Sequence, residues 1–168
     1  MIFRGEGYDL PRELSVSFTG HRADKLPWGR DEEDPRCIDF KRRLEKEIVR
    51  NYELGARYFL SGMADGVDIY AAEAVLRLSY RYKDMKLVAV FPFGSGESLR
   101  KRRCARRAYR VISLNESYCT GCFMQRNRFL VEHSSRLIAG FSGDAVSGTG
   151  ATIRMAREAG VGLTIINI

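Results

Sequence analysis

Three times in this chain an apolar run ends near a short glycine-bearing segment, and a helix-like stretch follows. Leu14-Ser15-Val16-Ser17-Phe18 leads into Thr19-Gly20-His21-Arg22, and Tyr58-Phe59-Leu60 leads into Ser61-Gly62-Met63-Ala64-Asp65-Gly66. Leu137-Ile138-Ala139-Gly140-Phe141 is followed by Ser147-Gly148-Thr149-Gly150. Strands alternating with helices build βαβ units and hence a parallel sheet. The carboxyl ends of such strands form one crevice, so segments far apart in sequence converge on one ligand. Glycine there lets backbone N–H groups approach a phosphate, and the helix that follows turns its positive end to the same place. The pattern points to a phosphate-bearing ligand, with nucleotides as the leading class.

The remaining elements follow from periodicity. Apolar runs predict strands at Leu14–Phe18, Ala56–Leu60, Leu87–Phe91, Val111–Leu114, Leu137–Phe141 and Leu163–Ile166. Phe40, Leu44, Ile48 and Tyr52 recur on one face of a first helix, which Gly55 ends. Val67, Tyr70, Ala71, Ala74, Val75 and Leu78 form the core stripe of a second, with Asp65 placed as its N-cap and Asp68 in its first turn. A basic helix follows the Leu87–Phe91 strand, another helix runs from about Phe123 to Ser134, and a last one from about Ala151 to Ala159, after a Gly-Thr-Gly loop. The expectation is an α/β fold: one Rossmann-like three-layer domain across residues 1–168, with a mostly parallel sheet of five to six strands.

Bulk properties narrow the class. A chain of 168 residues with 45% hydrophobic content suits one domain with a real core. No apolar stretch reaches the length of a membrane span, and Met1–Gly7 lacks the apolar region of a signal peptide, so a cytoplasmic location without a membrane partner is expected. Four cysteines are too few for a disulfide scaffold. Cys119-x-x-Cys122 lacks a second such pair, and only His21 and His133 are at hand to complete four zinc ligands, so no metal is assigned. The Gly-x-Gly-x-x-Gly fingerprint, the Walker loop and the Gly-x-Ser-x-Gly elbow are all missing.

Net charge is +7, and the run Arg100–Arg110 carries seven basic residues in eleven. It reads either as a solvated helix face or as a surface for polyanions such as nucleic acid. Only Tyr109 interleaves it as a stacking platform.

The candidate ligand-binding residues are Thr19, Gly20, His21, Arg22, Ser61, Gly62, Met63, Ala64, Asp65, Gly66, Asp68, Arg126, Asn127, Gly148, Thr149 and Gly150. Amides around Gly20, Gly62 and Gly148–Gly150 would hold phosphates. Arg22 would fork onto them, Thr19 would donate a hydroxyl, and Asp65 or Asp68 would take ribose hydroxyls. His21 is either a proton-transfer group or, the favoured reading, a ring satisfying a backbone carbonyl beside the sheet. One arginine of Arg126 and Arg128 would face the crevice and the other solvent. No catalytic residue is assigned.

With these segments in hand, the chain resembles the SLOG superfamily, which joins the DNA-processing protein DprA (Smf) and the LOG-type nucleotide hydrolases. Ser61-Gly62-Met63-Ala64-Asp65-Gly66-Val67-Asp68 is similar to the Ser-Gly-x-Ala-x-Gly-Ile-Asp turn of the DprA branch, and Arg126-Asn127-Arg128 to its Arg-Asn-Arg. Ser147–Gly150 falls where its second glycine loop lies. Phe18-Thr19-Gly20-His21-Arg22 with Lys25-Leu26-Pro27-Trp28 is closer to the small stand-alone YpsA/YoqJ-like members. The resemblance implies a pocket for NAD, ADP-ribose or a nucleoside phosphate, bound or sensed, with no cofactor required beyond a bound nucleotide. It carries two alternatives, N-glycosidic hydrolysis of LOG type and DprA-like binding of single strands through Arg100–Arg110. A homodimer is left open. LOG hydrolases place a glutamate three residues after a Gly-Thr pair, where this chain has Thr152.

Overall fold

The apolar runs become strands of one parallel sheet in the computed structural model, which describes the chain except for residues 1, 4 and 6. Met1, Arg4 and Glu6 of the N-terminal segment therefore lie outside the described residues. The strands are β1 (Ile2–Phe3), β2 (Ser15–Gly20), β3 (Tyr58–Ser61), β4 (Lys86–Phe91), β5 (Arg110–Ser113), β6 (Arg136–Phe141) and β7 (Gly162–Asn167). They lie in the order β1-β5-β4-β3-β2-β6-β7, and every pair is parallel. The six strands expected from the sequence are present. The seventh is the two-residue β1 beside β5, too short to carry a periodic signal.

Among the described residues five α-helices complete the layers: α1 (Pro35–Glu53), α2 (Val67–Leu78), α3 (Leu99–Arg107), α4 (Cys122–Glu132) and α5 (Gly148–Glu158). The chain steps outward from β2 through β3 and β4 to β5, so right-handed crossovers leave α1, α2 and α3 on one face. It then returns past β2 to β6, which puts α4 and α5 on the other. Contacts of α2 with α1 and α3, and of α4 with α5, match this division.

Local chemistry explains the elements. Pro35 occupies the first turn of α1, where the Asp34 carboxylate accepts from the Arg36 N–H at 2.8 Å. Cys37, Phe40, Leu44 and Ile48 form its buried stripe, and Gly55 stops it at φ +109°. Fully buried Phe18, Phe40 and Phe59 each stabilise by about 1.5–3 kcal/mol relative to exposure. Trp28, from the loop after β2, packs on Phe40 at 5.7 Å and donates to the Tyr70 hydroxyl at 3.3 Å.

Two helix starts differ from expectation. The residue before α2 is Gly66, not an Asp65 cap: φ is +101°, and a Cβ there would lie 2.5 Å from the His21 carbonyl oxygen. Helix α5 begins at Gly148, so Gly148-Thr149-Gly150 is its first turn and not a loop. Ser147 caps it, its Oγ accepting from the Gly150 N–H at 3.1 Å. A serine cap outweighs the low helix propensity of glycine at these positions. Among the described residues no helix is long and apolar enough to cross a membrane.

Candidate functional site

The chain's reversal between β2 and β6 opens a crevice at the carboxyl ends of the strands, as topology requires of an open parallel sheet. Two cavities adjoin there. The smaller, about 490 Å³, lies between the segments after β2 and β6, and the larger, about 790 Å³, lies over the segments after β3, β4 and β5. Arg22, Asp24, Ala64, Phe123 and Arg126 line both.

The turn after β3 is built by its own side chains. The Ser61 Oγ donates to the Asp68 carbonyl at 2.8 Å and accepts from the Met63 N–H at 3.2 Å, so it braces the turn. Met63 adopts φ 59° with its side chain buried in the core, a conformation costly for a non-glycine residue. Asp65 points outward, 3.7 Å from Lys101 and 3.8 Å from Arg30.

Beneath this turn lie Asp68 and Arg126, both buried. Burial pushes the Asp68 carboxyl above its usual range, opposed by the positive field of Arg126 and a hydrogen bond from the Ala64 N–H at 3.3 Å. Burial likewise lowers the Arg126 guanidinium, with Asp68 opposing. Arg126 donates to the Gly62 carbonyl and, through Nε, to Asn127 Oδ1 at 2.9 Å. Asp68 Oδ1 has no hydrogen-bond partner among the described residues, although Asp68 lines the smaller cavity. A buried carboxylate oxygen without a partner, beside a buried guanidinium, is the kind of perturbed group that gathers at functional sites. Arg128, the other member of the pair, is exposed.

On the β2 side, Thr19 is buried at the cavity wall. The His21 Nε2 faces the Ser142 N–H at 3.1 Å and the Ser142 Oγ at 2.9 Å, and its ring stacks on Phe141 at 5.7 Å. It therefore accepts from a backbone amide, where the sequence reading had it satisfying a carbonyl. Burial lowers its pKa, and the Asp144 carboxylate opposes that. The ring ties the end of β2 to the end of β6. Arg22 is exposed on the shared wall, its guanidinium 4.7 Å over the Phe123 ring.

At α5 the first-turn N–H groups of Gly148 and Thr149 have no partner within the helix, and both residues line the smaller cavity. A Cβ on Gly148 would meet nothing within 4 Å. The other glycines answer to the protein itself. A Cβ on Gly20 would lie 2.3 Å from the Val67 Cβ, one on Gly62 2.7 Å from Arg126 Nη1, and one on Gly150 2.7 Å from the Ala145 oxygen. At Gly20, Gly62 and Gly150 close packing of elements therefore excludes a side chain, whereas at Gly148 a side chain would meet open space. Thr152 is fully buried and donates to the Gly148 carbonyl at 2.9 Å.

Sequence reasoning did not reach Phe93, Tyr118 and Phe123, which line the larger cavity, and read Lys101 only as part of the basic run. Phe93 and Tyr118 lie in loops and Phe123 in the first turn of α4, so the three share no period.

The basic run divides. Arg100 bridges Glu32 and Glu73 at 2.5–2.8 Å, and Arg110 meets Asp9 at 2.8 Å. Arg102, Arg103, Arg106 and Arg107 are exposed on α3, and Arg107 lies 5.4 Å over the ring of exposed Tyr80. Cys122 is buried and Cys119 half-buried, and among the described residues no group of three or more potential metal ligands is clustered.

A family model, YpsA, described as the YspA SLOG family, matches residues 16–159. The chain is also similar to a UPF0398 protein of Brevibacillus brevis, 26% identical over 137 residues, covering 76% of this chain and 71% of that protein. A UPF0398 protein of Halalkalibacterium halodurans is 30% identical over 98 residues, covering 58% of this chain and 50% of its own.

Proposed function

The chain belongs to the SLOG family represented by YpsA, and from that premise we propose that its crevice binds, as a sensor, a nucleotide-derived phosphate ligand such as NAD, ADP-ribose or a nucleoside phosphate. One observation carries this reading: the buried Asp68 and Arg126 share a cavity with the open N-terminus of α5, and Asp68 Oδ1 lacks a partner. The Gly148 and Thr149 amides take phosphate oxygens, as helix N-termini do. Arg22 neutralises them from the shared wall. Thr19 and Asn127 complete the polar lining.

A thermal-shift panel with NAD, ADP-ribose, AMP, a nucleotide sugar and a single-stranded oligonucleotide tests it. A ligand at 100 times its Kd stabilises by about 2.7 kcal/mol, and each kcal/mol raises the midpoint of a domain this size by about 2–4 °C. No shift with any small nucleotide sinks the reading. Arg22→Ala is expected to weaken the binding by about 1.5–3 kcal/mol, the value of a charged hydrogen bond. Release of free base or ribose phosphate, lost in Asp68→Asn, would move the reading to hydrolysis.

A second reading rests on α3. Its exposed arginines have no acidic neighbour on their own helix, and Tyr80 adds an aromatic ring against Arg107. Single-stranded nucleic acid suits that combination. Its affinity should fall with salt in proportion to the phosphates neutralised, and a flat salt response would set it aside.

A further inference from the structure

We propose that the larger cavity is a base-binding lobe, in which Phe93, Tyr118 and Phe123 present aromatic faces to the heterocyclic base of the ligand whose phosphates lie in the smaller cavity. This rests on the nucleotide reading of the smaller cavity and adds which part of the ligand goes where.

The rings come from the segments after β4 and β5 and from the first turn of α4. Their centroids lie 5.8 Å (Phe93–Tyr118), 6.0 Å (Phe93–Phe123) and 6.3 Å (Tyr118–Phe123) apart, with planes inclined at 89°, 64° and 52°. Rings so inclined meet edge to face, so each contact occupies one face of one ring and leaves the opposite face out of that contact. Tyr118 is 65% exposed and Phe123 38%, so the cluster opens to the cavity and is not absorbed into the core. Exposed apolar surface gathered at a cavity marks a binding site. Arg22, stacked on Phe123, stands on the wall between the two lobes, where one cation meets both the ring system and the phosphates.

The polar complement is of the right kind. Asp65 is held by Lys101 and Arg30 only at 3.7 and 3.8 Å, beyond hydrogen-bond length. Its oxygens and the Lys101 ammonium can therefore turn to the edge of a base or to ribose hydroxyls. An apolar peptide side chain would gain nothing from that charged rim, whereas a base uses both its faces and its edge.

The experiment compares the intact protein's affinity, by calorimetry, for ribose 5-phosphate, UMP, AMP and ADP-ribose. A stacked base contributes about tenfold or more in affinity, so AMP should bind at least about tenfold more tightly than ribose 5-phosphate, with UMP between them. Tyr118→Ala should remove most of that gap and leave ribose 5-phosphate unchanged, while Tyr118→Phe keeps it. Equal affinities for AMP and ribose 5-phosphate in the wild type overturn the lobe and leave the phosphate site standing. A Tyr118→Ala variant that weakens both ligands alike, or one whose gap is intact, also overturns it. If no ligand binds, the nucleotide reading falls and the lobe with it. The midpoint of each variant, measured without ligand, separates lost binding from lost folding.

Discussion

Gly20 and Gly148 are the same residue type under opposite demands. An alanine Cβ at position 20 would lie 2.3–2.6 Å from three carbons of Val67, which is itself buried in α2. Neither a strand nor a branched side chain in a packed helix can yield that distance cheaply. Gly20→Ala is therefore expected to destabilise by about 1–3 kcal/mol, the cost of overpacking. At position 148 the added Cβ meets open space within a helix, so Gly148→Ala should leave the melting midpoint unchanged or raise it slightly. If phosphate approaches that amide, the same variant loses nucleotide affinity without losing stability. A wild-type midpoint for Gly20→Ala would show that β2 and α2 are less tightly apposed than described. His21 makes a prediction of the same scale. Unfolded, the imidazole titrates near 6.5; folded, burial holds it lower. The unfolded chain then binds more protons between the folded pKa and about 6.5, so stability falls as pH drops below about 6.5. Protonation would also turn Nε2 into a donor facing the Ser142 N–H. Melting at pH 7.5 and 5.5 should show a larger loss for the wild type than for His21→Gln, and equal losses would assign the pH response to other groups.

Helix α3 shows why an element's charge does not state its role. Its first arginine is a structural clamp: Arg100 joins Glu32, in the loop before α1, to Glu73 on α2, and Lys41 adds a contact to Glu32 at 2.5 Å. The Arg100 guanidinium draws the Glu32 carboxyl from its ordinary 4.5 down to about 2. A lowered carboxylate pKa stabilises fully above the unfolded value, and that contribution is lost as pH falls from about 4.5 toward 2. The groups are partly solvated, so Arg100→Ala should cost on the order of 1 kcal/mol at neutral pH. The difference in midpoint from the wild type should shrink by pH 3, and a difference that does not shrink would mean the clamp works by packing alone. In the sequence the clamp and the exposed Arg102, Arg103, Arg106 and Arg107 form one undivided run. The strands were legible because parallel strands buried on both faces are continuous apolar runs. The stripe Phe40-Leu44-Ile48 was legible because it repeats every four residues. What escaped is pairwise and distant: Gly62 yielding to Arg126, 64 residues away, or the rings of Phe93, Tyr118 and Phe123 meeting from two loops and the start of α4. The start of α5 was misplaced because propensity disfavours glycine in helices, while the Ser147 cap decided the matter locally.

The sheet order joins the two halves of the molecule at one place. The β2–β3–β4–β5 half supplies Arg22, Ala64 and the aromatic rings, and the β6–β7 half supplies the first turn of α5, with His21 and Ser142 linking the halves across the β2–β6 pair. No single βαβ unit holds the proposed site, so a ligand that fills both lobes must restrain both halves at once. Binding that favours only the folded state raises the free energy of every opening that breaks the site. Native-state hydrogen exchange with saturating ADP-ribose is therefore expected to slow together at the turn around Gly62–Gly66, at the first turn of α5 and in the loops carrying Phe93 and Tyr118. Ribose 5-phosphate should protect the α5 turn and the Gly62–Gly66 turn but leave the aromatic loops exchanging as in the free protein. Protection confined to the α5 turn with either ligand would mean that the two cavities, though they share a wall, do not hold one molecule.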